Sequence, residues 1–156
     1  MKGKSDSGFT LIEALLVIAI SIVLAGIAIP VFINAMNNYR LTAAVSAATG
    51  AIESTRFQAI MRGYPYQIVF TSSSKSYQIY NEVPPATTFS AVGAAIPLES
   101  AGPITMTGTS FTYTFAANGI VTSSANPAGT AFQLKNSFQS RTITVSGVGN
   151  VSTSSP

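Results

Sequence analysis

The chain contains no histidine and no cysteine, so acid–base or metal chemistry would fall to five carboxylates: Asp6, Glu13, Glu53, Glu82 and Glu99. A Ser-His-Asp or Cys-His nucleophile system cannot be assembled from this inventory. Zinc and non-haem iron sites need His, Cys or clustered carboxylates, and Glu53, Glu82 and Glu99 lie far apart in sequence. No phosphate-cradling Gly-Lys-Ser/Thr loop is present. The residue types therefore argue against an enzyme and ask for no cofactor and no metal. One carboxylate stands out by its surroundings. Glu13 is the only charged residue between Asp6 and Arg40, inside the stretch GFTLIEALLVIAISIVLAGIAIPVFI from Gly8 to Ile33.

The elements that position Glu13 follow from that stretch. Ala14 to Ile33 is a run of twenty residues without a charge, close to what a helix needs to span a hydrocarbon layer of about 30 Å. A secretory signal peptide is one reading, but its apolar region would be about 7–15 residues and end at an Ala-x-Ala-like site. Here only Gly26-Ile27-Ala28 offers small residues. A plain membrane anchor is a second reading, with Lys2 and Lys4 holding the N-terminus in the cytoplasm. It leaves Glu13 unexplained, since a carboxylate deep in a bilayer costs about 3 kcal/mol on insertion scales.

Beyond the run, Leu41, Ala44, Val45, Ala48, Ile52, Thr55 and Ala59 recur at spacings of three and four, the stripe of an amphipathic helix. Gly63 and Pro65 stop it. Thr10 to about Met61 is predicted as one helix of about 78 Å at 1.5 Å per residue, with a bend near Gly26 to Pro30 because Pro30 removes a backbone donor. The period then changes to two. Strands are expected at Tyr66–Thr71, Ser76–Asn81, Phe111–Phe115, Ala131–Lys135 and Arg141–Val145, with a last one near Asn150 to Ser152. The Pro- and Gly-punctuated stretch from Pro84 to Pro103 is expected to be mostly loop, with a short strand near Ile104 to Thr107. The tail Ser152 to Pro156 is expected to be disordered. The expected class is α+β, a long N-terminal helix on an antiparallel sheet.

After a short basic leader, Gly8-Phe9-Thr10-Leu11-Ile12-Glu13 resembles the processing site of type IV pilins and type II secretion pseudopilins, and the resemblance continues through the apolar helix to Pro30. It implies a leader at residues 1–8, cleavage by a prepilin peptidase between Gly8 and Phe9, and N-methylation of Phe9. Residues 9–33 would form the transmembrane assembly helix and residues 34–156 a periplasmic domain with pilin-like fold. The protein would be a single-pass inner-membrane protein with a cytoplasmic N-terminus, later part of a filament. Glu13 would pair with the N-terminal amine of a neighbouring subunit; the simpler alternative is a carboxylate that snorkels to the interface and pairs with nothing in particular.

Three further stretches are similar to the H-type minor pseudopilins, the GspH/FimT family: the helix end Thr55-Arg56-Phe57-Gln58-Ala59-Ile60-Met61-Arg62-Gly63, the strand-turn Phe115-Ala116-Ala117-Asn118-Gly119, and the closing hairpin from Arg141 to Val151. The implied function is a structural minor subunit of a type II secretion pseudopilus. The alternative is a minor type IV pilin that primes pilus assembly or binds DNA for uptake. The partners would be prepilin peptidase, other subunits and the inner membrane. Nucleic acid is disfavoured. Without the first eight residues there are six basic and four acidic residues, a net +2. Lys75, Lys135 and Arg141 are scattered, and the closing loop reads Gly147-Val148-Gly149-Asn150, without arginines. Tyr64, Tyr66, Tyr77 and Tyr80 read as strand packing rather than as a stacking surface.

Overall fold

The computed structural model describes residues 8–98, 104–125 and 131–155. The expected leader, Gly8 apart, and the Gly102-Pro103 turn lie outside the described residues. The chain divides into two compact units, Met1–Met36 and Asn37–Pro156.

In the first unit every described residue is exposed. It holds the start of α1, Leu11–Arg62, with Pro30 inside the helix. The apolar run makes this helix long and apolar enough to cross a membrane.

In the second unit α1 buries one stripe: Leu41, Ala44, Val45, Ala48, Ala51, Ile52, Thr55 and Ala59. This is the periodicity read from the sequence, with Ala51 added. The alanines let the helix backbone come close to what it covers. Thr55 is fully buried, yet its hydroxyl donates to the Ala51 carbonyl at 2.7 Å, so the polar atom is satisfied within the helix. The helix ends where the sequence asks it to. Gly63 takes φ +75°, and its N–H donates to the Ala59 carbonyl at 3.0 Å, a left-handed terminus that glycine adopts without strain.

The strands are β1 Tyr66–Thr71, β2 Ser76–Asn81, β3 Ser90–Pro97, β4 Thr105–Met106, β5 Ser110–Phe115, β6 Val121–Ala125, β7 Ala131–Lys135, β8 Ser140–Val145 and β9 Val151–Ser154. They form two antiparallel sheets rather than the single one expected, in the orders β3-β2-β1-β5-β6 and β4-β7-β8-β9. One aromatic ties the sheets together. Phe132 of β7 packs on Phe70, Phe111 and Tyr113 of the larger sheet, with ring centroids 5.0, 5.1 and 6.4 Å away. Burying each of these side chains contributes about 1.5–3 kcal/mol. Tyr66 is buried and Tyr77 packs on Phe70, so these tyrosines are packing residues, as read.

Four expectations are corrected. The stretch expected as loop contains β3, whose eight residues are all exposed. Burial imposes no alternation there, and Gly93 at φ +74° breaks the regular pairing with β2, so no period-two signal is written into the sequence. Strand β6 was not expected, because Val-Thr-Ser-Ser-Ala reads as polar turn sequence; it lies at the edge of the larger sheet beside β5. The tail is ordered through Ser154, since β9 pairs with β8 from Val145↔Val151 to Thr142↔Ser154. Asn150, expected to begin that strand, closes the preceding turn instead, its carbonyl accepting the Ser146 N–H at 2.9 Å.

Burial pushes the Tyr113 phenol up from 10.0 to about 12. The folded chain therefore holds this proton more tightly than the unfolded chain does. Its contribution to stability is complete below about pH 10 and is lost as pH rises toward 12, by up to about 1.4 kcal/mol per pH unit. Denaturant midpoints should fall across that window in the native chain and less in Tyr113→Phe. A level midpoint in the native chain would contradict the burial argument.

Candidate functional site

Gly8, Phe9 and Thr10 precede the helix, which starts at Leu11. An added Cβ at Gly8 would meet nothing within 4 Å, and its backbone is not left-handed. The fold thus supplies no reason for glycine at this position. Phe9 is 73 % exposed. Thr10 is the N-cap. Its hydroxyl oxygen accepts the Glu13 N–H at 3.3 Å, and its carbonyl accepts the N–H groups of Glu13 and Ala14, both at 3.1 Å. Thr10-Leu11-Ile12-Glu13 has the spacing of a capping box, in which a Ser or Thr cap is followed three residues later by Glu or Gln. Thr10 was missed in the sequence reading, although the Thr-x-x-Glu signal was present. The carboxylate of Glu13 also lies in the first helical turn, where the helix dipole favours negative charge. Local structure alone therefore favours a carboxylate at 13. Pro30 lies within α1, with helix on either side.

The second unit brings together the three stretches singled out for the H-type resemblance. Arg56, half-buried on α1, donates from Nε to the Gly119 carbonyl at 3.1 Å and from Nη1 to Asn150 Oδ1 at 3.3 Å. The two turns it touches are built alike. In the β5–β6 turn the Gly119 N–H donates to Ala116 O and the Ala116 N–H to Ile120 O, at 2.8 and 2.9 Å. In the β8–β9 turn the Gly149 N–H donates to Ser146 O and the Ser146 N–H to Asn150 O, at 2.8 and 2.9 Å. Gly119 and Gly149 take φ +77° and +82°. A Cβ on Gly149 would lie 2.6 Å from the Gly119 carbonyl oxygen and 2.7 Å from Arg56 Nε. The Val121 N–H donates to Gly147 O at 3.0 Å, joining β6 to the β8–β9 turn. The helix end, the strand-turn and the closing hairpin thus meet at one arginine.

Residues 44–149 match the family described as type II transport protein GspH. The chain belongs to that family. Residues 3–29 match the prokaryotic N-terminal methylation motif. The GspH-family chain is similar in fold to the type IV minor pilin FimU of Pseudomonas aeruginosa, at 15 % identity and TM-score 0.56, covering 76 % of this chain and 94 % of that one. A second crystal form of FimU aligns over 74 % of this chain and 96 % of that one, at 15 % identity and TM-score 0.49. Comparison with curated protein sequences returns no match. The expected α+β architecture, a long N-terminal helix on antiparallel sheet, is thereby established as a pilin fold. The GspH-family chain is a structural subunit of the minor pilin or pseudopilin kind, a class of assembling subunits rather than of enzymes.

Of the basic residues weighed for nucleic acid, Lys135 and Arg141 lie together at the β7–β8 turn, lining one cleft. Lys75 lies elsewhere, in the β1–β2 turn at φ +49°.

Proposed function

We propose that this protein is a minor pseudopilin of a type II secretion system, assembled into a short filament through its N-terminal helix. The observation that carries the reading is the match of two thirds of the chain to the type II transport family. In this reading prepilin peptidase removes residues 1–8 after Gly8 and methylates Phe9. A glycine that the fold does not require, before an exposed phenylalanine, suits a peptidase that must reach the backbone. Residues 9–33 then span the inner membrane, with the N-terminus cytoplasmic and residues 34–156 in the periplasm, and Pro30 bends the helix. Glu13 pairs with the N-terminal amine of a neighbouring subunit, where unpaired charge is costly.

The second reading, a minor type IV pilin, is favoured by the fold shared with FimU. Deleting the gene in the native host separates them. The proposed function predicts loss of type II substrates from the medium with surface pili retained. Loss of pili with secretion intact would assign the chain to a pilus.

A further inference from the structure

The bond between Gly8 and Phe9 lies just outside α1, and one hydroxyl marks where the helix starts. Gly8, Phe9 and Thr10 are not helical, and α1 begins at Leu11. The first carbonyl to accept a helical N–H is that of Thr10, bonded to Glu13 and Ala14 at 3.1 Å each. Among the described residues neither the Gly8 nor the Phe9 carbonyl accepts a hydrogen bond. The Gly8 carbonyl is the one a peptidase has to attack. Water adds to its carbon, the C–N bond to Phe9 breaks, and a Gly8 carboxylate and a Phe9 ammonium result.

A carbonyl tied into a helix is bonded to an N–H and held in helical geometry. A peptidase that binds extended backbone then acts only on the fraction of chains in which that turn is open. The sequence offers such a competing start. Glycine ranks with threonine as an N-cap, whereas phenylalanine has no oxygen to offer. Gly8 is therefore the nearest upstream residue that can cap α1. In a helix begun there, the Ile12 N–H would donate to the Gly8 carbonyl, since each helical N–H bonds four residues back. The Thr10 hydroxyl accepts the Glu13 N–H at 3.3 Å and so favours the later start.

We propose that Thr10 is a positioning residue for the processing of this chain: by starting α1 at Leu11 it keeps the Gly8 carbonyl out of the helix and open to the peptidase. This rests on the reading that residues 1–8 are removed as a leader. Threonine at 10 then acts through the backbone of its neighbours, and what the peptidase requires of it is a capping oxygen rather than a particular shape.

The full unprocessed chain in detergent micelles is cut with purified prepilin peptidase, and the products are identified by mass. Thr10→Val and Thr10→Ala remove the capping oxygen, and kcat/KM should fall about fivefold, the order of a lost cap. Thr10→Ser and Thr10→Asn supply that oxygen in two other shapes and should be cut within about twofold of the wild type. Exchange of the Ile12 amide with solvent should slow in Thr10→Val, because its N–H then meets the Gly8 carbonyl. Equal rates in all five chains, each cut at Gly8–Phe9, overturn the positioning role and leave processing standing. A fall in Thr10→Ser and Thr10→Asn as large as in Thr10→Val overturns it in favour of a peptidase that reads threonine itself. Slow cutting of Thr10→Val with unchanged Ile12 exchange overturns the shift in helix start. A wild-type chain not cut between Gly8 and Phe9 overturns the processing reading and this role with it.

Discussion

Replacing Glu13 with valine should leave membrane insertion intact or improved while lowering incorporation into the filament at least about tenfold. Three effects compete, and their sizes decide the outcome. Losing the carboxylate at the helix N-terminus costs about 0.3–1 kcal/mol of dipole interaction. Removing a charge from the apolar run gains a few kcal/mol on insertion scales. Leaving a neighbour's ammonium unpaired in a low-dielectric layer costs about 3–5 kcal/mol. Insertion feels the first two and assembly feels the third. Glu13→Gln separates the charge of this residue from its spacing to the Thr10 cap. Glutamine serves a capping box as glutamate does, but carries no charge. Crosslinking from the Phe9–Glu13 turn to the adjacent subunit should fall in both variants. If Glu13→Gln crosslinks like the wild type, the charge of Glu13 makes no assembly contact.

Substituting Gly149 should be a severely damaging change in the second unit. Alanine there pays for a left-handed backbone, about 1–2 kcal/mol. It also places a methyl group 2.6 Å from the Gly119 carbonyl and 2.7 Å from Arg56 Nε. That carbonyl is backbone and cannot swing away, so the Arg56 hydrogen bonds must break. A bond to a charged donor contributes about 1.5–3 kcal/mol. Together these give a loss of about 3–4 kcal/mol, a fall in melting temperature of roughly 10 °C or more for a domain of this size. Gly147→Ala, two residues away, meets nothing within 4 Å and has no left-handed backbone, so it should change stability by less than about 1 kcal/mol. Similar melting temperatures for Gly149→Ala and Gly147→Ala would show that the two turns do not depend on each other through Arg56.

What could be read from the sequence divides along physical lines. The stripe from Leu41 to Ala59 was legible because one helix face is buried and the other is wet. Strands β1, β2 and β7 were legible to the residue, and in β1 and β7 inward and outward positions alternate. Strand β3 was not, because all its residues are exposed and its composition reports only the absence of a core. The tail was misread for a related reason. Ser, Thr and Ser at 152–154 carry no apolar pattern, and their order comes from backbone pairing with β8. The N-terminal turn is legible as a motif, and its Thr-x-x-Glu spacing also encodes the cap that Thr10 forms. The Arg56 joint could not be read. The three stretches it unites were each visible, but their convergence rests on contacts 63 and 94 residues apart.

The account turns on the bond between Gly8 and Phe9, and the mass of the mature chain tests it most directly. Protein isolated from cells that carry a prepilin peptidase should begin at Phe9, lack residues 1–8 and carry one additional methyl group on its N-terminal nitrogen. A chain that still begins at Met1, or one that begins near Ile29 after cleavage at Gly26-Ile27-Ala28, would contradict it.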